Sequence, residues 1–304
     1  MAKGKGIGVL YLAGGMALFG SATPISKLVG DVWPIFTASF LRVLLGMLTL
    51  LPFVFRNFRV EVSKIARADW IYIGLIAVFG MVGFTLFLIY GMKFISGVGG
   101  SIIMTFTPAL TAMAAFLFMG SPLGRRRILA IVLGVGGVLI LNVFRERFGG
   151  GESPNFYLGV VLVLLAISCE ACYTLIGKKM TDDIPPVLVS FLACALSLPL
   201  FLILAATDYR RIDLDTVPIE SWLALAWWGA GTLGAGSALW YAGISRAEGT
   251  TAAGFMAVMP TSALFLSYFL LGEAFHLVHL LGIALVAGSL GIMSWVHMSD
   301  AEGH

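Results

Sequence analysis

Two charged residues, Glu170 and Arg42, sit inside long apolar runs and have the most scope for chemistry in this chain. Each lies within roughly 4 Å of the middle of its run at the helical rise of about 1.5 Å per residue. A charge so placed is costly unless it faces a partner or an aqueous cavity. It can form an Arg42–Glu170 ion pair, or Glu170 can face a cavity and receive an amine or a proton. For Arg42 the competing role is an anchor to backbone or lipid headgroups. Cys169 and Cys172 flank Glu170 in a CxxC spacing but lack the strand–helix context of a redox motif, and read as small packing residues. His276, His279, His297 and His304 lie at run ends or beyond, which argues against a membrane-embedded hydrolase and against a metal site. No GxxxxGK[ST] loop is present to cradle a nucleotide, and no cofactor is expected.

The elements that must position these residues are helices in lipid. Of 304 residues, 59% are hydrophobic and 12% charged, against about 25% charged in a soluble domain. Runs of about 20 apolar residues, enough to cross a bilayer, occur near 7–29, 34–55, 70–91, 97–119, 127–144, 157–178, 186–206, 220–244, 250–271 and 277–297. They are numbered spans 1 to 10. The stretch RERFGGGESPN (145–155) is charged, then glycine-rich, and reads as a linker between halves 1–144 and 156–304. Lys and Arg form short clusters between spans, unlike a basic face for nucleic acid. The start imitates a secretion signal, but its counterpart in the second half argues that it is retained as span 1.

The halves repeat. A shift of 152 lays Gly91 on Gly243, Gly97 on Gly249, Pro108 on Pro260 and Gly120 on Gly272. A shift of 151 lays Gly8 on Gly159, Lys27 on Lys178, Pro34 on Pro185 and Phe40 on Phe191. Five spans is an odd number, so the second half must enter the membrane upside down, about a pseudo-two-fold axis in its plane. Basic residues concentrate at the N-terminus and in loops 2–3, 4–5, 6–7 and 8–9, which puts both termini in the cytoplasm. Prolines 108 and 260, inside spans 4 and 9, are expected to kink them. Paired broken helices mark a transporter's binding site, with Gly97 and Gly249 as hinges. Lys27 and Lys178 are expected to snorkel. Glu273, His276 and His279 read as a solvated cap.

Three stretches carry a resemblance: LFGSATPISKLVGDVWPIFTASFLR (18–42), FTPALTAMAAFLFMGSPLGRRRILAIVLGVGGVLIL (106–141) and MPTSALFLSYFLLGEAFHLVHLLGIALVAGSLGI (259–292). The chain resembles the drug/metabolite transporter superfamily, specifically its ten-span exporters with paired EamA-type domains. Ser121 departs from the pattern, standing where the second half keeps Glu273. The resemblance implies an all-α integral membrane protein, ten helices in two inverted repeats around a central cavity, and export of small metabolites. Its cavity helices hold Phe79, Phe84, Phe106, Tyr173, Trp227, Trp228, Trp240, Tyr241, Phe255 and Met259, with Ser101, Thr105 and Ser237 for neutral hydrogen bonds. A largely uncharged, aromatic chamber suits hydrophobic and aromatic amino acids better than phosphorylated sugars. Multidrug efflux is the nearest rival. The partners implied are a small-molecule substrate and the lipid bilayer of a bacterial inner membrane, with proton or exchange coupling.

Overall fold

The computed structural model describes residues 2–104, 106–120, 155–177, 179–180, 184–246, 255–256 and 258–277, with isolated positions in 125–136 and 280–292. Most of spans 5 and 10, nearly all the linker, Thr105, Lys178 and Gly249 lie outside the described residues. Within them, all regular structure is helical. Span 1 is Ala2–Val32, and span 2 is Ile35–Val54 with a continuation to Ser63. Span 3 joins Arg67–Ile76 to Phe84–Met92, and span 4 joins Gly97–Met104 to Thr107–Met119. Span 6 is Phe156–Gly177 and span 7 is Pro186–Asp208. Span 8 joins Ile219–Ala226 to Gly236–Ile244, and span 9 is Val258–Leu271. Spans 1, 2, 3, 6 and 7 are each long and apolar enough to cross a membrane, and the bent pair forming span 4 qualifies as a sixth.

The two halves share details that neither needs alone. Spans 3 and 8 each contain a π-helical segment, Ala77–Gly83 and Trp227–Ala235, at corresponding places in the repeat. There the backbone bond widens by one residue: the Phe84 N–H reaches Phe79 O, and the Gly236 N–H reaches Gly231 O. Spans 4 and 9 are followed at equivalent positions by Gly120 and Gly272, at φ 65° and 61°. Such left-handed residues end helices, and glycine adopts them without a Cβ penalty.

Equivalent helices run antiparallel. The start of span 2 meets the end of span 7, where the buried Asp208 carboxylate accepts from the Phe36 N–H at 2.8 Å, the Thr37 N–H at 3.1 Å and the Thr37 hydroxyl at 2.7 Å. The far end of span 2 meets the start of span 7, where Phe58 stacks edge-on against Phe191 at 5.9 Å. Spans 4 and 9 are likewise opposed: Gly97 lies against Leu271, and Ser101 Oγ is 3.2 Å from Ser267 Oγ. This is the inverted pairing that the odd span count requires. Small residues at the crossings let backbones touch. A Cβ on Gly91 would meet Val163 of span 6, and one on Gly243 would meet Leu12 of span 1. Val163 and Leu12 are themselves repeat equivalents, so each half lays its first span on the third span of the other.

The prolines act differently from expectation. Span 4 is indeed broken, with a 42° bend between its two pieces. Yet Pro108 lies in the first turn of the second piece, and Pro260 is the third residue of Val258–Leu271. In a first turn a missing N–H costs no helical bond. The carbonyl that Pro108 leaves open, that of Met104, accepts from the Thr107 hydroxyl at 2.7 Å. In the second half the matching carbonyl of Met256 accepts from the Met259 N–H at 3.3 Å.

Two terminal charges also differ from expectation. Lys27 does not snorkel: its Nζ donates to the Met92 and Ile95 carbonyls at 3.1 and 3.0 Å, capping the end of span 3. Glu273 is more than a solvated cap. Its carboxylate accepts from the Gly97 N–H, and from the Val98 N–H at 2.9 Å, so the second half caps span 4 of the first. A carboxylate at a helix N-terminus satisfies orphan donors and opposes the helix dipole.

Candidate functional site

Five helices deliver side chains to one place near the middle of the bundle. Span 2 supplies Arg42, which is buried. Its Nη1 donates to Thr85 Oγ1 on span 3. Its guanidinium lies 4.7 Å from the ring centroid of Trp228 on span 8 and 5.9 Å from that of Phe84 on span 3. Cys194 of span 7 and Tyr173 of span 6 lie within electrostatic reach of it. Tyr173 is also within electrostatic reach of Glu170, one turn earlier on span 6. Tyr241 Oη lies 3.2 Å from Ser190 Oγ, joining spans 8 and 7 at the edge of the cluster.

The backbone explains why the cluster forms here. A Cβ on Gly229 would fall 2.6 Å from the Arg42 carbonyl, so only glycine lets spans 2 and 8 approach this closely. Gly80 and Gly83 play the same part between spans 3 and 6, facing Tyr173 and Cys169. Trp228 and Phe79 belong to the two π-helical segments. An extra residue in a helical turn re-aims the side chains that follow, and such turns recur at functional sites. The repeat equivalent of Arg42 is Ala193, next in sequence to Cys194, which lies within electrostatic reach of the guanidinium. One half thus contributes a cation where the other contributes alanine.

The Arg42–Glu170 ion pair does not form. Among the described residues no ion pair involves either side chain. Arg42 is occupied by Thr85 and two aromatic faces, and Thr107 Oγ1 lies 3.4 Å from Glu170 Oε2. The same Thr107 satisfies Met104, which places the acid at the break in span 4. The cluster is therefore less neutral than its aromatic residues suggest, since a buried arginine lies within it.

Arg42, Phe84, Tyr173, Trp228, Tyr241 and Glu170 are the expected site residues that the fold brings together. Others serve elsewhere. Ser101 is buried and donates to the Gly97 carbonyl at 2.7 Å, at the contact with span 9. Trp240 backs onto Gly15 of span 1, and the Met259 carbonyl faces Gly20. Ser237 is buried, while Phe79 and Phe255 are partly buried. Cys169 and Cys172 are free thiols, in keeping with a packing role. Sequence reasoning passed over Thr85, Thr107 and Asp208. Thr85 was open to discovery, because the shift of 152 lays it on Ser237. An open, largely apolar groove of about 550 Å³ between spans 1 and 9, lined by Ala17, Val258, Thr261, Ser262, Phe265 and Leu266, involves none of the cluster.

The profile of the EamA-like transporter family matches this chain twice, over residues 6–143 and 157–295. The chain belongs to the EamA-like transporter family. An uncharacterized transporter of Bacillus subtilis (strain 168), YetK, is 27% identical over 283 residues, covering 92% of this chain and 84% of the relative. A second from that strain, YyaM, is 23% identical over 226 residues, covering 74% of this chain and 72% of the relative. An uncharacterized transporter of Haemophilus influenzae (strain ATCC 51907 / DSM 11121 / KW20 / Rd) is 26% identical over 218 residues, 68% of this chain and 71% of the relative. A solved crystal structure shares the fold, with a TM-score of 0.64 at 16% identity over 95% of this chain and 96% of that one. Like its family, this EamA-type protein is a membrane transporter of small molecules and not an enzyme. Both profile matches span helices that meet at the Arg42 cluster, so the site belongs to neither EamA repeat alone.

Proposed function

We propose that this chain is a secondary transporter that exports small amphipathic metabolites by alternating access, with hydrophobic and aromatic amino acids favoured. The observation that carries this reading is the cluster of Arg42, Tyr173, Trp228 and Phe84, polar and aromatic together, where helices of the two inverted halves converge. Aromatic faces favour an apolar or planar side chain, and isolated charges at membrane depth mark solute pathways. Glu170, beside the break in span 4, is the group that takes up a substrate amine or a proton. Spans 3–4 and 8–9 rock against the rest, using the joint at Gly97 and the two π-helical segments, with Gly249 as its counterpart. Both termini face the cytoplasm, and the membrane is a bacterial inner membrane.

The test is saturable counterflow in proteoliposomes, using the full chain and a panel of amino acids, nucleosides and dyes. Exchange restricted to hydrophobic and aromatic amino acids supports the reading. Exchange of dyes in preference to amino acids replaces it with multidrug efflux, and flux without saturation or counterflow replaces it with a pore.

A further inference from the structure

The Arg42–Trp228 stack holds two donors that no described residue uses. Trp228 is fully buried, and its indole N–H is the side chain's only polar group. Among the described residues this N–H has no hydrogen-bond acceptor, and neither does the buried Nε–H of Arg42. Buried donors are nearly always paired, because one left open loses its water without gaining a partner. The arginine bears a second cost, because no carboxylate of the described residues pairs with its charge. Thr85 and the two ring faces are neutral. A cation that no described carboxylate pairs and two open donors, on side chains stacked at 4.7 Å, all ask for the same thing: an anionic acceptor.

The geometry suits a planar oxyanion. The stacked guanidinium and indole each keep one open N–H, and a carboxylate has two oxygens to share between two donors. The charge is not mirrored across the pseudo-two-fold axis, where Ala193 stands in the corresponding position. A single, asymmetric ligand group is therefore accommodated. Glu170 forms no ion pair with Arg42 among the described residues, and its carboxylate lies 3.4 Å from Thr107 Oγ1 of span 4, so the acid does not take this seat. We propose that Arg42 and the Trp228 indole N–H form the seat for the carboxylate of the transported solute. In the conformation described here the helices close over it. The inference rests on the transporter reading above and deepens it, by making the carboxylate the group that decides which amphipathic solutes are carried.

The experiment uses the full chain and three probes with one ring system: L-phenylalanine, 3-phenylpropionate and phenethylamine. Counterflow of each is measured in proteoliposomes for the wild type, Arg42→Gln and Trp228→Phe. The second variant keeps an aromatic face under the guanidinium and removes only the N–H. In parallel, the indole ¹⁵N–¹H signals are followed while 3-phenylpropionate is added, with the Trp228 signal identified by its loss in Trp228→Phe. The wild type should favour the two carboxylate-bearing probes, and the Trp228 signal should move downfield on titration. Trp228→Phe should lower the carboxylate-to-amine preference about ten-fold or more, the loss of one hydrogen bond to a charged group. Arg42→Gln should lower it further and abolish the shift of the Trp228 signal. Carboxylate probes that exchange equally well in wild type and both variants, or with no movement of the Trp228 signal, would overturn the seat. Counterflow of phenethylamine alone would overturn the seat and leave a carrier standing. No counterflow of any probe would count against both.

Discussion

The Glu273 carboxylate caps the helix that begins at Gly97, accepting the N–H groups of Gly97 and Val98 across the boundary between the two repeats. The first half has Ser121 at the corresponding position, so the latch is charged on one side only. Replacing Glu273 with Ala should lower stability by about 1–2 kcal/mol. Thermal unfolding in detergent reads this as a lower Tm, and Glu273→Gln should recover part of the loss, because its amide oxygen can still accept. Equal Tm values for wild type and Glu273→Ala would show that the cap contributes nothing.

Asp208 plays a comparable part at the other antiparallel pair, with three donors of span 2 on one buried carboxylate. Asp208→Ala should cost about 2 kcal/mol or more, since it strands buried donors at a helix start. Asp208→Asn should cost less. Limited proteolysis at the 64–66 connection, next to the far end of span 2, should accelerate in the same order.

The glycines at helix crossings divide by what a methyl group would meet. At Gly20 it would lie 2.1 Å from the Met259 carbonyl oxygen, a backbone atom that cannot step aside. Gly20→Ala should therefore cost about 3 kcal/mol or more by overpacking. At Gly74 it would meet nothing within 4 Å. Gly74→Ala should be neutral or stabilising by about 0.5–1 kcal/mol, from helix propensity. Folded yield and Tm of the two variants, measured side by side, check the contrast.

Glu170→Gln keeps the shape of the acid and removes its ionisation. If Glu170 carries the proton or the substrate amine, counterflow should depend on pH in the wild type and lose that dependence in the variant. A rate and pH profile identical to the wild type would take Glu170 out of the mechanism.

Pro108→Ala restores an N–H in the first turn of a helix, where no partner for it is missing. Folded yield should change little, while transport should slow if the restored N–H draws the two pieces of span 4 into one helix. A loss of yield as large as the loss of transport would make the proline structural.

Much of this architecture could be read from residue order alone. Apolar runs long enough to cross lipid, and a repeat that recurs after 151 or 152 positions, require helices in two opposed halves. The reason is general: in lipid every backbone group must be satisfied within its own segment, so length and polarity dictate the element. The break in span 4 was legible too, because a proline inside an apolar run favours the first turn of a new helix, which is where Pro108 lies. Side-chain partners were not legible. Arg42 and Glu170 look like a pair when only their depth is known. Only the packing of five helices shows that Thr85, Phe84 and Trp228 reach the guanidinium, and that Glu170 lies beside Thr107 instead. Likewise, nothing near Glu273 in the sequence points to Gly97, some 176 residues away. Depth is a property of position along one helix. Partnership depends on how helices rotate and cross, and that is decided by which glycines let backbones meet.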